Sequence, residues 1–111
     1  MIQVVYTPAQ FRVTVRGHAH SGEPGRELVC AAVSALAVAL SENVKQLRRL
    51  GLLRELRLQL RPGLAEIRCV PRMGARGVTR VILGAFCMGW AKLAREYPEY
   101  VAFQNGGGKA E

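Results

Sequence analysis

His18 and Cys30 are the two residues whose types and spacing favour catalysis, and a glycine-rich segment joins them. The pattern predicts that His18 follows a strand and that Cys30 lies in the first turn of a helix. The thiolate is the nucleophilic form of cysteine, and the unpaired N–H groups of a helix start favour it. A nearby imidazole can accept the thiol proton and return it to a leaving amine. The pair therefore predicts nucleophilic attack on an acyl group, with N–H groups of the helix start stabilising the oxyanion.

Two neighbours of Cys30 are predicted to share its helical face. Glu27 lies three residues before Cys30 and Ser34 lies four after it. Glu27 can orient the protonated imidazole or can simply favour the positive helix start. Ser34 can donate a hydrogen bond to the thiolate or substrate, or can pack as a small residue among alanines.

The segment between the two candidate residues has the composition of a loop. It runs from about residue 18 to residue 26 without hydrophobic periodicity. The predicted substrate loop consists of Gly17, Gly22, Glu23 and Gly25, whose glycines give the backbone freedom. His20 is interpreted as a bystander of the chemistry.

Around this segment, hydrophobic periodicity predicts an α+β fold. Strands are expected at 2–7 and 11–16, a helix at 27–50, a hairpin at 56–61 and 65–70, and a helix at 75–97. A short last strand at 99–104 is optional. The order ββαββα(β) predicts a two-layer sandwich, in which an antiparallel sheet carries both helices on one face. Residues 1–104 form the predicted single domain, and residues 105–111 form a flexible tail.

The apolar residues of each predicted helix define its expected buried stripe. In the first helix these are Leu28, Ala32, Leu36, Leu40, Val44 and Leu47, and in the second they are Val78, Ile82, Ala85, Phe86, Gly89 and Leu93. Cys69 is expected to face inward beside Ile67, and Cys87 to pack beside the second stripe. Phe86, Trp90, Tyr97 and Tyr100 are interpreted as core and interface residues rather than as a platform for stacking bases.

Cysteine usage and hydropathy bear on the compartment. Three cysteines without a CxxC motif argue against a disulfide framework and against structural zinc. A metal bound by His18, His20 and Cys30 would lack an evident fourth ligand, so neither metal nor cofactor is expected. The longest apolar run covers 28–40 and is shorter than the roughly 20 residues of a membrane span. With no signal-peptide pattern at the start, these features predict a soluble, cytoplasmic protein.

The net charge of +8 raises a second functional possibility. Eight basic and three acidic residues lie between residues 31 and 72, a local excess of +5. Such an excess is typical of attraction to a polyanion, for which RNA and the ribosome are candidates, but it is also typical of an ordinary solvated surface. The alternative function is therefore a non-catalytic RNA- or ribosome-binding module.

Two motifs and their spacing resemble the ribosomal-processing cysteine protease family, Prp. The matching residues are Gly17-His18-Ala19, then Gly22 and Gly25, then Val29-Cys30-Ala31-Ala32-Val33-Ser34-Ala35. The resemblance implies a homodimeric α+β protein that removes a short N-terminal extension from large-subunit ribosomal protein twenty-seven. It implies that His18 and Cys30 are catalytic, and that the loop between them is mobile and orders over the substrate. The family usually has Asp at the position of Glu27, whose side chain is one methylene longer.

Overall fold

The computed structural model describes residues 1–17 and 25–106, which form a sheet and two helices. The elements are β1 (Ile2–Thr7), β2 (Arg12–Arg16), α1 (Arg26–Arg49), β3 (Leu53–Arg61), β4 (Leu64–Pro71), α2 (Arg76–Glu96) and β5 (Val101–Asn105). Short 3₁₀ turns at Pro8–Gln10 and Met73–Ala75 lead into β2 and α2. The predicted strands and helices are therefore all present, with boundaries shifted by up to three residues.

The strands lie in the order β3-β4-β2-β1-β5, and both helices pack on one face. The first four strands pair antiparallel, which confirms the predicted two-layer α+β fold. The optional last strand is also present, but it pairs with β1 in parallel, so the sheet is mixed. β5 follows a helix rather than a tight turn, and a helical crossover permits parallel pairing.

One core fills the space between the sheet and the helices. The strands alternate as predicted, with Ile2 and Val4 of β1 and Val13 of β2 almost fully buried. The largest buried side chain is that of Trp90 in α2. The opposite face of the sheet has no helix over it among the described residues.

The buried face of α1 differs from the predicted stripe in its first half. The buried positions are Val29, Val33 and Ala37, followed by the predicted Leu40, Val44 and Leu47. Leu28, expected in the core, is 77% exposed. The predicted stripe took every fourth residue from Leu28 to Val44. Each step of four residues rotates about 40° beyond a full helical turn, so a straight buried face must mix steps of three and four residues.

The predicted stripe of α2 is displaced by one position. The fully buried residues are Thr79, Leu83, Cys87 and Trp90, while Val78 and Ala85 are exposed and Ile82, Phe86, Gly89 and Leu93 are only partly covered. Thr79 is polar and was not expected in the buried stripe. Its hydroxyl donates a hydrogen bond to the Ala75 carbonyl at 2.7 Å, which satisfies it in the core. Cys69 and Cys87 are buried as expected.

The C-terminal boundary lies beyond residue 104. Asn105 ends β5, and the N–H of Gly106 donates to the Tyr6 carbonyl at 2.8 Å. The sheet thus includes the first residue of the predicted tail and anchors the second. Residues 107–111 lie outside the described part.

Two helical segments are long and apolar enough to cross a membrane by length and composition alone. They are Arg26–Arg49 and Met73–Glu96, each longer than the apolar run at residues 28–40, which only Ser34 interrupts. Both place one face on the sheet, as the core helices of a two-layer fold do. This finding is weak evidence for a membrane, since core helices commonly pass the same test.

Candidate active site

The start of α1 determines the position of Cys30. Gly25 precedes the helix with φ 91°, a conformation that favours glycine, and its carbonyl accepts from the Val29 N–H at 3.1 Å. Arg26 begins the helix, and its guanidinium lies over the Tyr100 ring at 4.9 Å. Cys30 is the fifth helical residue, so it opens the second turn rather than lying in the first as predicted.

Cys30 lines a cleft of about 330 Å³ between α1 and one end of the sheet. The α1 wall consists of Cys30, Val33, Ser34, Ala37 and Val38. The sheet wall consists of Ile2, Val15 and Gly17 with the hairpin segment from Leu60 to Ala65. Mainly apolar walls with one thiol and one hydroxyl suit a peptide segment held next to a nucleophile.

Strand register brings the β3–β4 turn to this cleft. Arg16 of β2 pairs with Leu64 of β4, and the Gly17 N–H donates to the Gly63 carbonyl at 3.0 Å. The Pro62-Gly63 turn therefore lies beside the end of β2. The sequence analysis recognised this hairpin but missed its role as a cleft wall, because pairing between distant strands leaves no local signal.

Gly17 is required at the end of β2 for two reasons. Its φ is 109°, and a Cβ at this position would approach the Met1 carbonyl oxygen to 2.3 Å. Only a residue without a side chain allows this close approach. Gly17 lines the cleft and immediately precedes His18 in the chain.

The structure brings some of the predicted site residues together. Cys30 and Ser34 share the cleft-facing side of α1, as their spacing of four residues predicted. Glu27 is exposed, does not line this cleft, and forms no ion pair with a described residue. His18, His20, Gly22 and Glu23 lie outside the described residues, so the predicted pairing of His18 with Cys30 stays a prediction.

Burial distinguishes the three thiols. Removal from water raises the pKa of Cys69 to about 11 and that of Cys87 to about 12. Both side chains are almost fully buried, whereas Cys30 is only half-buried and borders open space in the cleft. Cys30 is therefore the one cysteine that a substrate can reach without unfolding.

Within residues 1–17 and 25–106, no group of three or more His, Cys, Asp or Glu side chains could hold a metal ion. The histidines of the predicted alternative, His18 and His20, lie outside those ranges.

Comparisons with known proteins place this geometry in a family. A family model described as "Cysteine protease Prp" matches residues 1–102. No curated protein sequence matches the chain. Among solved structures, SMU.848 from Streptococcus mutans is similar, with 29% identity and a TM-score of 0.66 over 95% of this chain and 93% of that one.

Two structures of the essential ribosomal processing protease Prp from S. aureus share the fold. The complex with a covalently linked product peptide has 24% identity and a TM-score of 0.71, over 95% of this chain and 99% of that one. The complex with a substrate peptide has 19% identity and a TM-score of 0.66, over 92% of this chain and 94% of that one. Because the family model covers nearly the whole chain, this chain belongs to the cysteine protease Prp family and is a cysteine peptidase.

Proposed function

We propose that the protein is an endopeptidase that removes the N-terminal extension of large-subunit ribosomal protein twenty-seven, with Cys30 as nucleophile and His18 as general base. The observation that carries this proposal is the cleft. It holds the only accessible thiol of the chain, and its wall includes the residue that precedes His18. The S. aureus relative, a ribosomal processing protease bound to peptides, supports the choice of substrate class.

The proposed reaction proceeds in two acyl-transfer steps. The His18 imidazole accepts the Cys30 proton, and the thiolate attacks the carbonyl carbon of the scissile bond. The imidazolium then donates its proton to the leaving amine, and a thioester remains on Cys30. Water attacks the thioester while the imidazole accepts a proton from it. The intermediate collapses to release the product carboxylic acid, which loses its proton to solvent, and the imidazolium returns its proton to the Cys30 thiolate.

Supporting roles follow from the positions of the neighbours. Ser34 lies one turn after Cys30 on the cleft wall, where its hydroxyl can donate to the substrate. Glu27 is exposed in the first turn of α1, where its carboxylate interacts favourably with the positive end of the helix dipole. It can also orient an imidazolium that lies beside it. We expect Ser34→Ala to reduce cleavage less than Cys30→Ala, which removes the nucleophile.

The test is incubation of the purified protein, and separately of Cys30→Ala, with the source organism's ribosomal protein twenty-seven precursor. Products are identified by mass spectrometry. A single N-terminal cut made only by the unmutated protein supports the proposal and locates the cleavage site. Cleavage by Cys30→Ala would contradict Cys30 as the nucleophile. An uncut precursor with both proteins would contradict the proposed substrate.

We further propose that the protein is a homodimer that works in the cytoplasm and that the outer surface of its helices forms the dimer interface. Exposed apolar residues of this surface include Leu28 of α1 and Val78, Val81 and Met88 of α2. These exposed apolar side chains suit burial by a second copy, because monomers rarely expose large apolar patches. The same side chains account for the membrane-like composition of both helices.

The oligomeric state tests this proposal. Light scattering should give a dimeric mass for the unmutated protein and a monomeric mass for Val81→Lys/Met88→Lys. Leu50→Lys, which changes an exposed apolar residue at the end of α1, should leave the dimer intact. A monomer at all concentrations, or insertion into lipid vesicles, would contradict the proposal.

A further inference from the structure

The uncovered face of the sheet carries a regular array of arginines. Register pairs Arg12 of β2 with Arg68 of β4, and Arg68 with Arg57 of β3. Because neighbouring strands lie about 4.8 Å apart, these residues form a row across three strands. All three point away from the helices, since their strand neighbours Val13 and Ile67 are in the core and Leu58 packs against it.

A second cationic row lies four residues along the same strands. Arg16 and Arg61 both pair with Leu64, one on each side of it. At about 3.3 Å per residue, the two rows are roughly 13 Å apart. Between them lie Thr14, Glu66 and Gln59, which are paired in the same register. A shallow basin of about 360 Å³ is lined by Arg12, Arg57, Leu58, Gln59, Glu66 and Arg68.

Internal pairing offsets only part of this charge. Glu66 accepts a hydrogen bond from Arg12, and Glu55 accepts one from Arg57 at 2.7 Å. Arg16, Arg61 and Arg68 form no ion pair with any residue in the described ranges. Five arginines against two glutamates leave an excess of three positive charges on this face.

The array is unfavourable for the isolated fold, which argues for an external anion. Like charges at directly opposite strand positions destabilise a sheet, and Arg68 has an arginine on each side. An extended polyanion that crosses both rows would relieve this repulsion. The face has no aromatic side chain for stacking bases: all seven aromatic residues are described, and they lie in or against the core or, for Tyr97, at the end of α2.

We propose that this open sheet face, defined by Arg12, Arg16, Arg57, Arg61 and Arg68, binds the phosphate backbone of RNA. Phosphate contacts without base stacking predict binding that tolerates sequence and depends steeply on salt. The choice of RNA as the polyanion rests on the ribosomal substrate proposed above. The face lies on the side of the sheet opposite the helices, so bound RNA leaves the thiol of Cys30 accessible.

The test compares two triple variants that change the net charge equally, from +8 to +5. The first, Arg16→Gln/Arg57→Gln/Arg68→Gln, removes cations from the open sheet face and leaves the cleft-lining Arg61 intact. The second, Arg49→Gln/Arg76→Gln/Arg95→Gln, removes exposed arginines from the ends of the helices. Binding of a fluorescein-labelled RNA duplex is measured by anisotropy over a series of KCl concentrations.

We expect the face variant to bind RNA at least about ten-fold more weakly, with a log–log salt slope reduced by about two to three. The helix variant should change the affinity by less than about three-fold. Equal losses in both would show that only net charge matters and would overturn the proposal. So would unchanged binding by the face variant, or tighter binding of polyglutamate or of a DNA duplex than of RNA.

Two further measurements keep the test decisive. Arg68→Gln alone should retain full thermal stability, because it relieves repulsion between arginines, and should weaken RNA binding by about three-fold or more. The face variant should cleave free precursor at the unmutated rate. Loss of RNA binding with cleavage intact supports the open sheet face as a separate site. Absence of cleavage in the unmutated protein would contradict only the proposed substrate.

Discussion

At the scale of single residues, accessibility gives the three cysteines different chemical roles. Cys69 and Cys87 act as small apolar side chains in the core, where removal from water opposes the thiolate. Cys30 differs because α1 turns it toward a cleft rather than toward the sheet. Apolar neighbours alone do not distinguish the three cysteines in the sequence; the motif around Cys30 does.

We predict that iodoacetamide labels one thiol of the native protein. Cys30 should react fully, while Cys69 and Cys87 should react only after unfolding, because the thiolate is the reactive form and burial disfavours it. Peptide mass spectrometry after labelling, with and without guanidinium, distinguishes the sites. Rapid labelling of Cys87 in the native state would contradict the observed core.

Gly17 and Gly25, which flank residues 18–24 in the chain, allow a matched pair of substitutions. Both have positive φ, so alanine costs about 1 kcal/mol or more at either position. Only at Gly17 would the new Cβ also clash with the Met1 carbonyl, whereas no heavy atom lies within 4 Å of the Cβ position at Gly25. We expect Gly17→Ala to lower the free energy of unfolding by about 1 to 3 kcal/mol more than Gly25→Ala.

Urea unfolding of both glycine variants, together with the cleavage assay, measures the difference. Gly17→Ala should also reduce cleavage, because Gly17 forms part of the cleft wall. Equal destabilisation by the two substitutions would contradict this prediction. It would mean that the chain around Met1 moves away from the new Cβ at position 17 without a cost in free energy.

At the scale of elements, local sequence patterns predicted the positions of the strands and helices. They did not predict which helical face is buried, because that depends on packing. Alternation of apolar and polar residues predicted the strands, because this signal lies within a few residues. The faces of both helices were wrong by one position over part of their length. A helical face is fixed by its partners, here the sheet and the other helix, and the sequence does not name those partners.

Packing between the helices links the core to the cleft through Trp90. Its indole N–H donates to the Val33 carbonyl at 3.3 Å, and Val33 lines the cleft beside Cys30. We predict that Trp90→Phe lowers the free energy of unfolding by about 1 to 3 kcal/mol, through a cavity and the loss of one buried hydrogen bond. Tyr97→Phe, at the exposed end of α2, should change it by less than about 0.5 kcal/mol. Equal small effects in urea unfolding would show that Trp90 is not a link between the helices.

At the scale of the whole molecule, three surfaces differ in chemical character. The cleft at one end of the sheet presents the thiol, the outer side of the helices exposes several apolar side chains, and the open sheet face is basic. The basic excess and the motif around Cys30 can both be read from the sequence. Their location on different surfaces of the molecule cannot. Arg12, Arg57 and Arg68 are far apart in the chain, and only the register of β2, β4 and β3 aligns them.

Stability of the whole molecule should fall at alkaline pH because of its buried acids. The pKa values of Cys69 and Cys87 rise from an ordinary 9.0 to about 11 and about 12 on folding, and burial also raises the pKa of Tyr6. Above about pH 9 the unfolded chain therefore releases thiol protons that the folded chain keeps. The unfolded state binds fewer protons there, so the free energy of unfolding decreases as pH rises toward 11 and 12.

Each thiol contributes a decrease of at most about 1.4 kcal/mol per pH unit within this window, and nothing well below pH 9. Denaturant midpoints measured from about pH 7 to pH 10.5 give the slope. Cys87→Val, which keeps a small apolar side chain but removes the acid, should have a shallower slope above pH 9 than the unmutated protein. Identical slopes would mean that Cys87 ionises equally in the folded and unfolded chains, and would contradict its burial.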